Sequence, residues 1–381
     1  MRYSAYCFVL ALHLPLLVHC TPTVIPRSTL PPTQVRANAI NISTHSWEIG
    51  TLAEALTEYE WPTLGVFACG SIPPPGKLRE GQAADVLSIA EKVVAEKTAG
   101  SLPLINGDGA VGDPASIGVS VLLRNWTLRN HEDTSFADAA SQQLDYLLHV
   151  APRAPNGAIS HRESQVQLWA DFISMGPPFI AYYGALEGGT DGDALLQVAY
   201  DQVRLYRDVL FDSSVGLWRH IDLGEGTDPT HWGTGNAWAA AGALRVLATI
   251  QSSSAAESME SQQDNLEQWV QQTLDGVWRF QQPNGGLLNY LDQPDSFLDT
   301  SSTALLAAST FRFASITGND THIPAATLAL QLIRNSIDDQ GWLQHTVDPL
   351  TFSKTSKPGK YSPEGQSFVL LLEAAVSAWQ A

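Results

Sequence analysis

Gln167-Leu168-Trp169-Ala170-Asp171-Phe172-Ile173-Ser174-Met175-Gly176-Pro177-Pro178-Phe179-Ile180 is apolar and aromatic almost throughout, with one carboxylate at its centre. An Asp set among Trp, Leu, Phe and Met is costly to ionise unless a neighbour compensates, because burial disfavours the charged form. That is the environment in which a general acid holds its proton at working pH. The plainer account is that Asp171 caps a neighbouring segment or pairs with an Arg.

The helix that holds Asp171 closes a unit that recurs. Ala137 to Val150 has helical spacing, followed by Asn156-Gly157-Ala158-Ile159, a loop, and the Asp171 helix. Leu195 to Phe211 leads through Val215-Gly216-Leu217-Trp218 and a loop to a helix from Gly235 to Ile250. Leu266 to Phe280 leads through Asn284-Gly285-Gly286-Leu287 to Ser301 to Thr317. Leu328 to Ile337 leads through Gln340-Gly341-Trp342-Leu343 to Pro363 to Trp379. From Gly157 to Gly216, Gly286 and Gly341 the period is roughly 55 to 70 residues, in the range of repeated supersecondary units.

Two weaker units precede these. A helix is expected from about Trp47 to Glu60, before the break at Pro73-Pro74-Pro75-Gly76. Ala83 to Lys97 then sets Val86, Ile89, Val93 and Val94 at helical spacing. Ala-rich runs such as Ala239 to Ala243 and Ala304 to Ala308 allow close packing in an inner ring. No alternation is long enough for a major sheet. The expected fold is all-α: an (α/α)6 barrel, a toroid of six helical hairpins.

The 381 residues, 44% hydrophobic and 16% charged, are ample for one large core. Residues 1–20 read as a secretory signal, with Arg2 at its start and an apolar run from Ala5 to Val18. Residues 21–46 read as a Pro/Thr/Asn-rich leader or linker, and 47–381 as the barrel domain. A secreted protein is expected; the apolar run is too short to span a bilayer and no later one is long enough. Cys69 is then the one thiol outside the signal, so no internal disulfide is expected. Sequons at Asn41, Asn125 and Asn319 fit a glycosylated extracellular protein.

A net charge of −18 argues against nucleic acid as a partner and against simple electrostatic capture of a long polyanion. No zincin-type His-Glu spacing, phosphate loop or nucleophile elbow is present, so no metal and no nucleotide cofactor are expected. A monomer is expected.

His161, Leu168-Trp169-Ala170-Asp171, Met175, Pro178-Phe179, His220 and Trp232-Gly233-Thr234-Gly235-Asn236-Ala237-Trp238 follow one another in an order that resembles the six-hairpin glycosidases. Those include the unsaturated rhamnogalacturonyl and unsaturated glucuronyl hydrolases of glycoside hydrolase families 105 and 88. The likeness runs from about Gly112 to the C-terminus, and its later parts include Leu291 to Ser296, Thr300 to Ala304 and Gly365 to Phe368.

The resemblance implies the (α/α)6 barrel and removal of an unsaturated uronic acid from the non-reducing end of an oligosaccharide. In that chemistry an Asp protonates the sugar's double bond, water adds, and the hemiketal formed opens to release the saccharide. By similarity Asp171 is the proton donor and later the base for water, and Asp113 falls where a second essential Asp is found. Asp113 before Pro114 also reads as an ordinary helix cap.

His161 and His220 follow the Gly turns of successive units, each beside an Arg (Arg162, Arg219), which puts them at one rim of a toroid. They are candidates for binding sugar hydroxyls, with Arg219 beside them. Trp169, Trp232 and Trp238 are candidate sugar-stacking residues, with Asn236 in the turn between the last two. One departure stands out: the family motif carries an Arg where this chain has Thr234, and an Arg is the natural fork for a uronate carboxylate. Arg162 or Arg219 could compensate from a neighbouring loop. Two other readings are a conventional glycosidase on a neutral sugar using Asp113 and Asp171, and a non-catalytic carbohydrate binder on the same scaffold.

Overall fold

Helices that are buried on every side alternate along the chain with helices that bury one face, and this alternation builds two concentric rings. The computed structural model describes residues 32–107, 109–128 and 132–381. Among these, the outer helices are α1 (Pro32–Ile42), α3 (Ala84–Glu96), α5 (Ser135–Asp145), α7 (Gly189–Leu210), α9 (Glu260–Trp278) and α11 (Ile323–Asn335). The inner helices are α2 (Ser46–Glu60), α4 (Gly118–Trp126), α6 (Phe172–Glu187), α8 (Gly233–Ser252), α10 (Thr300–Thr317) and α12 (Pro363–Trp379). A 3-10 turn, Asp113–Ile117, leads into α4.

The inner ring closes. α2 packs on the 3-10 turn before α4, that turn on α6, α6 on α8, α8 on α10, α10 on α12, and α12 back on α2. This is the (α/α)6 barrel. α8 is buried without interruption from Gly233 to Ile250, as an inner helix must be. Close approach depends on small residues: a Cβ at Gly242 of α8 would collide with the Ile173 carbonyl of α6. The helix starts and stops read from the sequence agree with these spans to within a turn for most elements, and α12 coincides with Pro363–Trp379.

Two differences concern the site and the leader. The leader reading covered residues 21–46, but Pro32–Ile42 is helix α1, packed on α12 with Val35 and Ala39 fully buried. The secretory-signal reading, and the leader up to residue 31, lie outside the described residues. The second difference is local. Leu168–Trp169 is a short strand paired with Ile221–Asp222, and α6 begins only at Phe172, so Asp171 sits at a helix N-cap.

The described strands form three two-stranded ribbons, all in the loops. Among the described residues no helix is long and apolar enough to cross a membrane.

Because the inner helices share one direction, their N-termini gather at one mouth of the barrel. All but α8 bring an acid there: Glu48 in α2, Asp113 before α4, Asp171 before α6, Asp299 capping α10, and Glu364 in α12. Helix N-termini carry partial positive charge, which offsets part of the cost of gathering them. The opposite end is closed by a buried ion cluster. Arg245 Nε lies 3.2 Å from Glu54 and its Nη2 2.5 Å from Glu58, which also holds Arg312 at 3.0 Å.

Candidate functional site

The backbone sets Asp171 in place before any side chain acts. Ala170 N–H donates to His220 O at 2.9 Å, which ties the start of α6 to the loop carrying His220. At the N-cap an Asp normally accepts from the first-turn amides, yet this carboxylate makes no such bond. Its Oδ2 is buried with no hydrogen-bond partner. Burial pushes the Asp171 carboxyl above its ordinary range, and the nearby His220 charge only partly opposes this.

His220 Nε2 stands 3.6 Å from Asp171 Oδ2, and it too is buried and unpartnered. The other ring nitrogen, Nδ1, lies 2.9 Å from Asp228 Oδ2. Burial pushes Asp228 up, but the hydrogen bonds from His220 and Thr230 outweigh it and hold the carboxyl below its usual range. An ionised Asp228 fixes the imidazole, leaving Nε2 to face Asp171. Asp228, His220 and Asp171 form one line.

A second pair stands beside it. Asp113 Oδ1 is 3.7 Å from His161 Nε2. Asp113 opens the 3-10 turn, with Gly112 as the N-cap residue packed against Phe172 and Met175 of α6, so the Asp113 and Asp171 backbones rise on adjoining elements. Burial, with the charges of Arg162 and His220, pulls His161 down to about 3, so it is a neutral ring at any ordinary pH.

Trp169 separates the two imidazoles. It stacks on His161 at 4.9 Å and meets His220 edge-on at 5.4 Å. Trp232 and Phe352 complete the wall around His220, with centroids at 4.4 and 4.8 Å. Asn289 clamps this wall: its Oδ1 accepts from Trp232 Nε1 at 3.0 Å and its Nδ2 donates to Phe352 O at 3.0 Å. Phe352 is held at φ 41°, a left-handed conformation unfavourable for a bulky residue. Trp238 lies deeper. It meets Phe368 of α12 at 4.8 Å, and since α8 and α12 are not neighbours in the ring, that contact spans the barrel interior and floors the mouth.

Across the mouth from Asp171, Glu364 accepts from Trp47 Nε1 at 3.0 Å, and its Oε1 is buried without a partner. Burial raises this carboxyl well above its ordinary range, and repulsion from Glu48, Asp171 and Asp299 adds to the effect.

Of the residues singled out from the sequence, Asp113, Asp171, His161, His220, Trp169 and Trp232 come together, with Trp238 beneath. Two do not join them. Asn236 is fully buried and spends its amide on the chain itself, accepting from Trp218 N and donating to Trp218 O and Trp232 O. It positions the Trp232 loop and offers a ligand nothing. Arg219 points away to Asp212 at 2.8 Å. Thr234 is buried and donates to Asp299 at 3.3 Å.

Asp228, Asn289, Phe352 and Glu364 were not foreseen. Asp228 follows His220 by eight residues, near enough for a turn to bring it back.

Residues 83–348 match the family model described as Glycosyl Hydrolase Family 88. Among curated proteins, the unsaturated rhamnogalacturonyl hydrolase YesR of Bacillus subtilis is 25% identical over 185 residues, 46% of this chain. The match spans about half of that relative, 51% of its length. Among solved structures, a possible member of family GH105 from Klebsiella pneumoniae superposes with a TM-score of 0.73 at 19% identity, covering 98% of this chain and 99% of the other. The unsaturated glucuronyl hydrolase of Bacillus sp. GL1, responsible for the degradation of glycosaminoglycan, gives 0.56 at 16% identity over 90% and 96%.

Proposed function

The chain belongs to glycosyl hydrolase family 88, and from that premise we propose that it removes an unsaturated uronic acid from the non-reducing end of oligosaccharides produced by a polysaccharide lyase. That it is a glycoside hydrolase follows from the family; the substrate and the route are our reading. The observation that carries it is Asp171: a buried, unpartnered carboxyl at a helix N-cap, its pKa raised by burial, facing one nitrogen of an anchored histidine.

The double bond of such a sugar is an enol ether. Asp171 delivers its proton to the carbon remote from the ring oxygen, and the cation left behind is shared with that oxygen. Now a carboxylate, Asp171 accepts a proton from water as the water adds to the cationic carbon. The hemiketal so formed opens, the ring C–O bond breaks, and the hemiacetal at the former anomeric carbon releases the saccharide. His220, held by Asp228, aligns the Asp171 carboxyl, and Trp169 and Trp232 supply apolar faces for the sugar.

The test is incubation with lyase-generated oligosaccharides while the ultraviolet absorbance of the unsaturated sugar is followed. Falling absorbance, with no cleavage of saturated chromogenic glycosides, is the expected result; the reverse pattern sinks this reading in favour of a conventional glycosidase. Secretion is part of this reading, and the signal-like residues 1–20 support it.

A further inference from the structure

A uronate carries a carboxylate into a mouth already crowded with acids, in a chain of net charge −18. Ion pairing of that carboxylate needs a cation not already taken. Arg219 is bound to Asp212 at the rim, and Arg245 and Arg312 are bound to Glu54 and Glu58 at the other end of the barrel. Arg162 differs from these. Its guanidinium carbon lies 5.8 Å from the Trp169 ring centroid, and no carboxylate among the described residues pairs with it.

The backbone holds Arg162 there. It bridges Ala110, the neighbouring Glu163 N–H donates to Gly109 O at 3.1 Å, and Ser160 Oγ donates to Arg162 O at 2.8 Å. Gly109, at φ +69°, lets the opposite loop lie against the guanidinium; a Cβ there would sit 3.2 Å from Nη2. The side chain is half-buried, which strengthens a charge interaction while leaving the fork reachable. Trp169 thus has both Arg162 and His220, which faces Asp171, close to its ring.

We infer that Arg162 is the specificity-determining residue that receives the carboxylate of the sugar whose ring packs on Trp169. This rests on the uronyl reading above, and it assigns that reading's carboxylate to a named partner. A cation in this position orients the sugar and discriminates acids from neutral sugars, while the proton is handled elsewhere.

The experiment measures binding by calorimetry in the Asp171→Asn background, with turnover of the parent followed separately. The probes are a lyase-generated unsaturated disaccharide and its methyl ester. Arg162→Ala is expected to weaken binding of the acid by about ten- to a hundredfold while leaving the ester within about twofold. Arg162→Lys, which keeps the charge and the stem, is expected to fall between and so separates charge loss from damage to the fold. The inference is overturned if Arg162→Ala binds the acid as the parent does, if acid and ester weaken equally, or if Asp171→Asn binds neither. It is also overturned if the loss appears instead in Lys354→Ala, on the loop that carries Phe352. Absence of turnover by the parent, with the acid–ester contrast intact, would sink the hydration chemistry and leave the Arg162 assignment standing.

Discussion

His220 Nε2 and Asp171 Oδ2 face each other at 3.6 Å, both buried and neither with another hydrogen-bond partner. Two unsatisfied polar atoms side by side are expensive in a folded protein, and native structures keep few of them. In the proposed reaction they mark the point where the substrate supplies the missing partners.

The first consequence is in the pH profile. A proton donor must be protonated, and burial raises Asp171 above the ordinary carboxylate range. Activity is therefore expected to be lost as pH rises through that raised pKa. His161, held at about 3, contributes no titration at neutral pH. Initial rates across pH check this; a profile that rises steadily into alkali would contradict it.

Asp228 anchors the imidazole through Nδ1 and touches no substrate in this account. Asp228→Asn is expected to lower kcat by up to about a hundredfold, the scale of a mispositioned catalytic group, with KM little changed. Steady-state kinetics with a melting curve distinguish this from general destabilisation, which would lower the melting temperature without the kcat-selective loss.

Phe352 walls the pocket and Asn289 holds it. Phe352→Ala is expected to raise KM by about two- to tenfold, the scale of one aromatic contact. Asn289→Ala, which strands Trp232 Nε1 and removes the donor to Phe352 O, is expected to raise KM as well and to cost about 1–3 kcal/mol of stability. Denaturant titration and KM together read both effects.

At the other end of the barrel, burial pushes Glu54 up to about 7, with the Arg245 charge opposing it. A carboxyl raised above its unfolded value of 4.5 contributes stability that is complete at low pH and lost as pH climbs through 7. The slope reaches at most about 1.4 kcal/mol per pH unit. Glu54→Gln, which cannot ionise, is expected to flatten that decline, as melting temperatures from pH 5 to 8 would show.

The architecture was legible because helical spacing and Gly-apolar turns repeat, and an inner ring needs small and apolar residues wherever helices touch. α1 does not stand out in the sequence, since Val35 and Ala39 are the fully buried apolar side chains among its described residues and its Pro, Thr and Asn content resembles a linker. His161 and His220 stand at equivalent places in the repeat and Asp113 and Asp171 in the family-like motif, and the fold brings the four to one mouth of the barrel as two Asp–His pairs. Asn236, an amide inside a Trp-rich turn, reads as a ligand group in the sequence, but in the fold three backbone groups take up its amide. Asn289 and Phe352 stand 63 residues apart, in the loops before α10 and α12, which the packing of those two helices brings together, so no local pattern announces them.

The central claim is that Asp171 supplies the proton, and it is tested most directly by the kcat of Asp171→Asn on lyase-generated oligosaccharides. The account predicts a fall of about a hundred- to ten-thousandfold with disaccharide binding retained. Turnover at the parent's rate would contradict it.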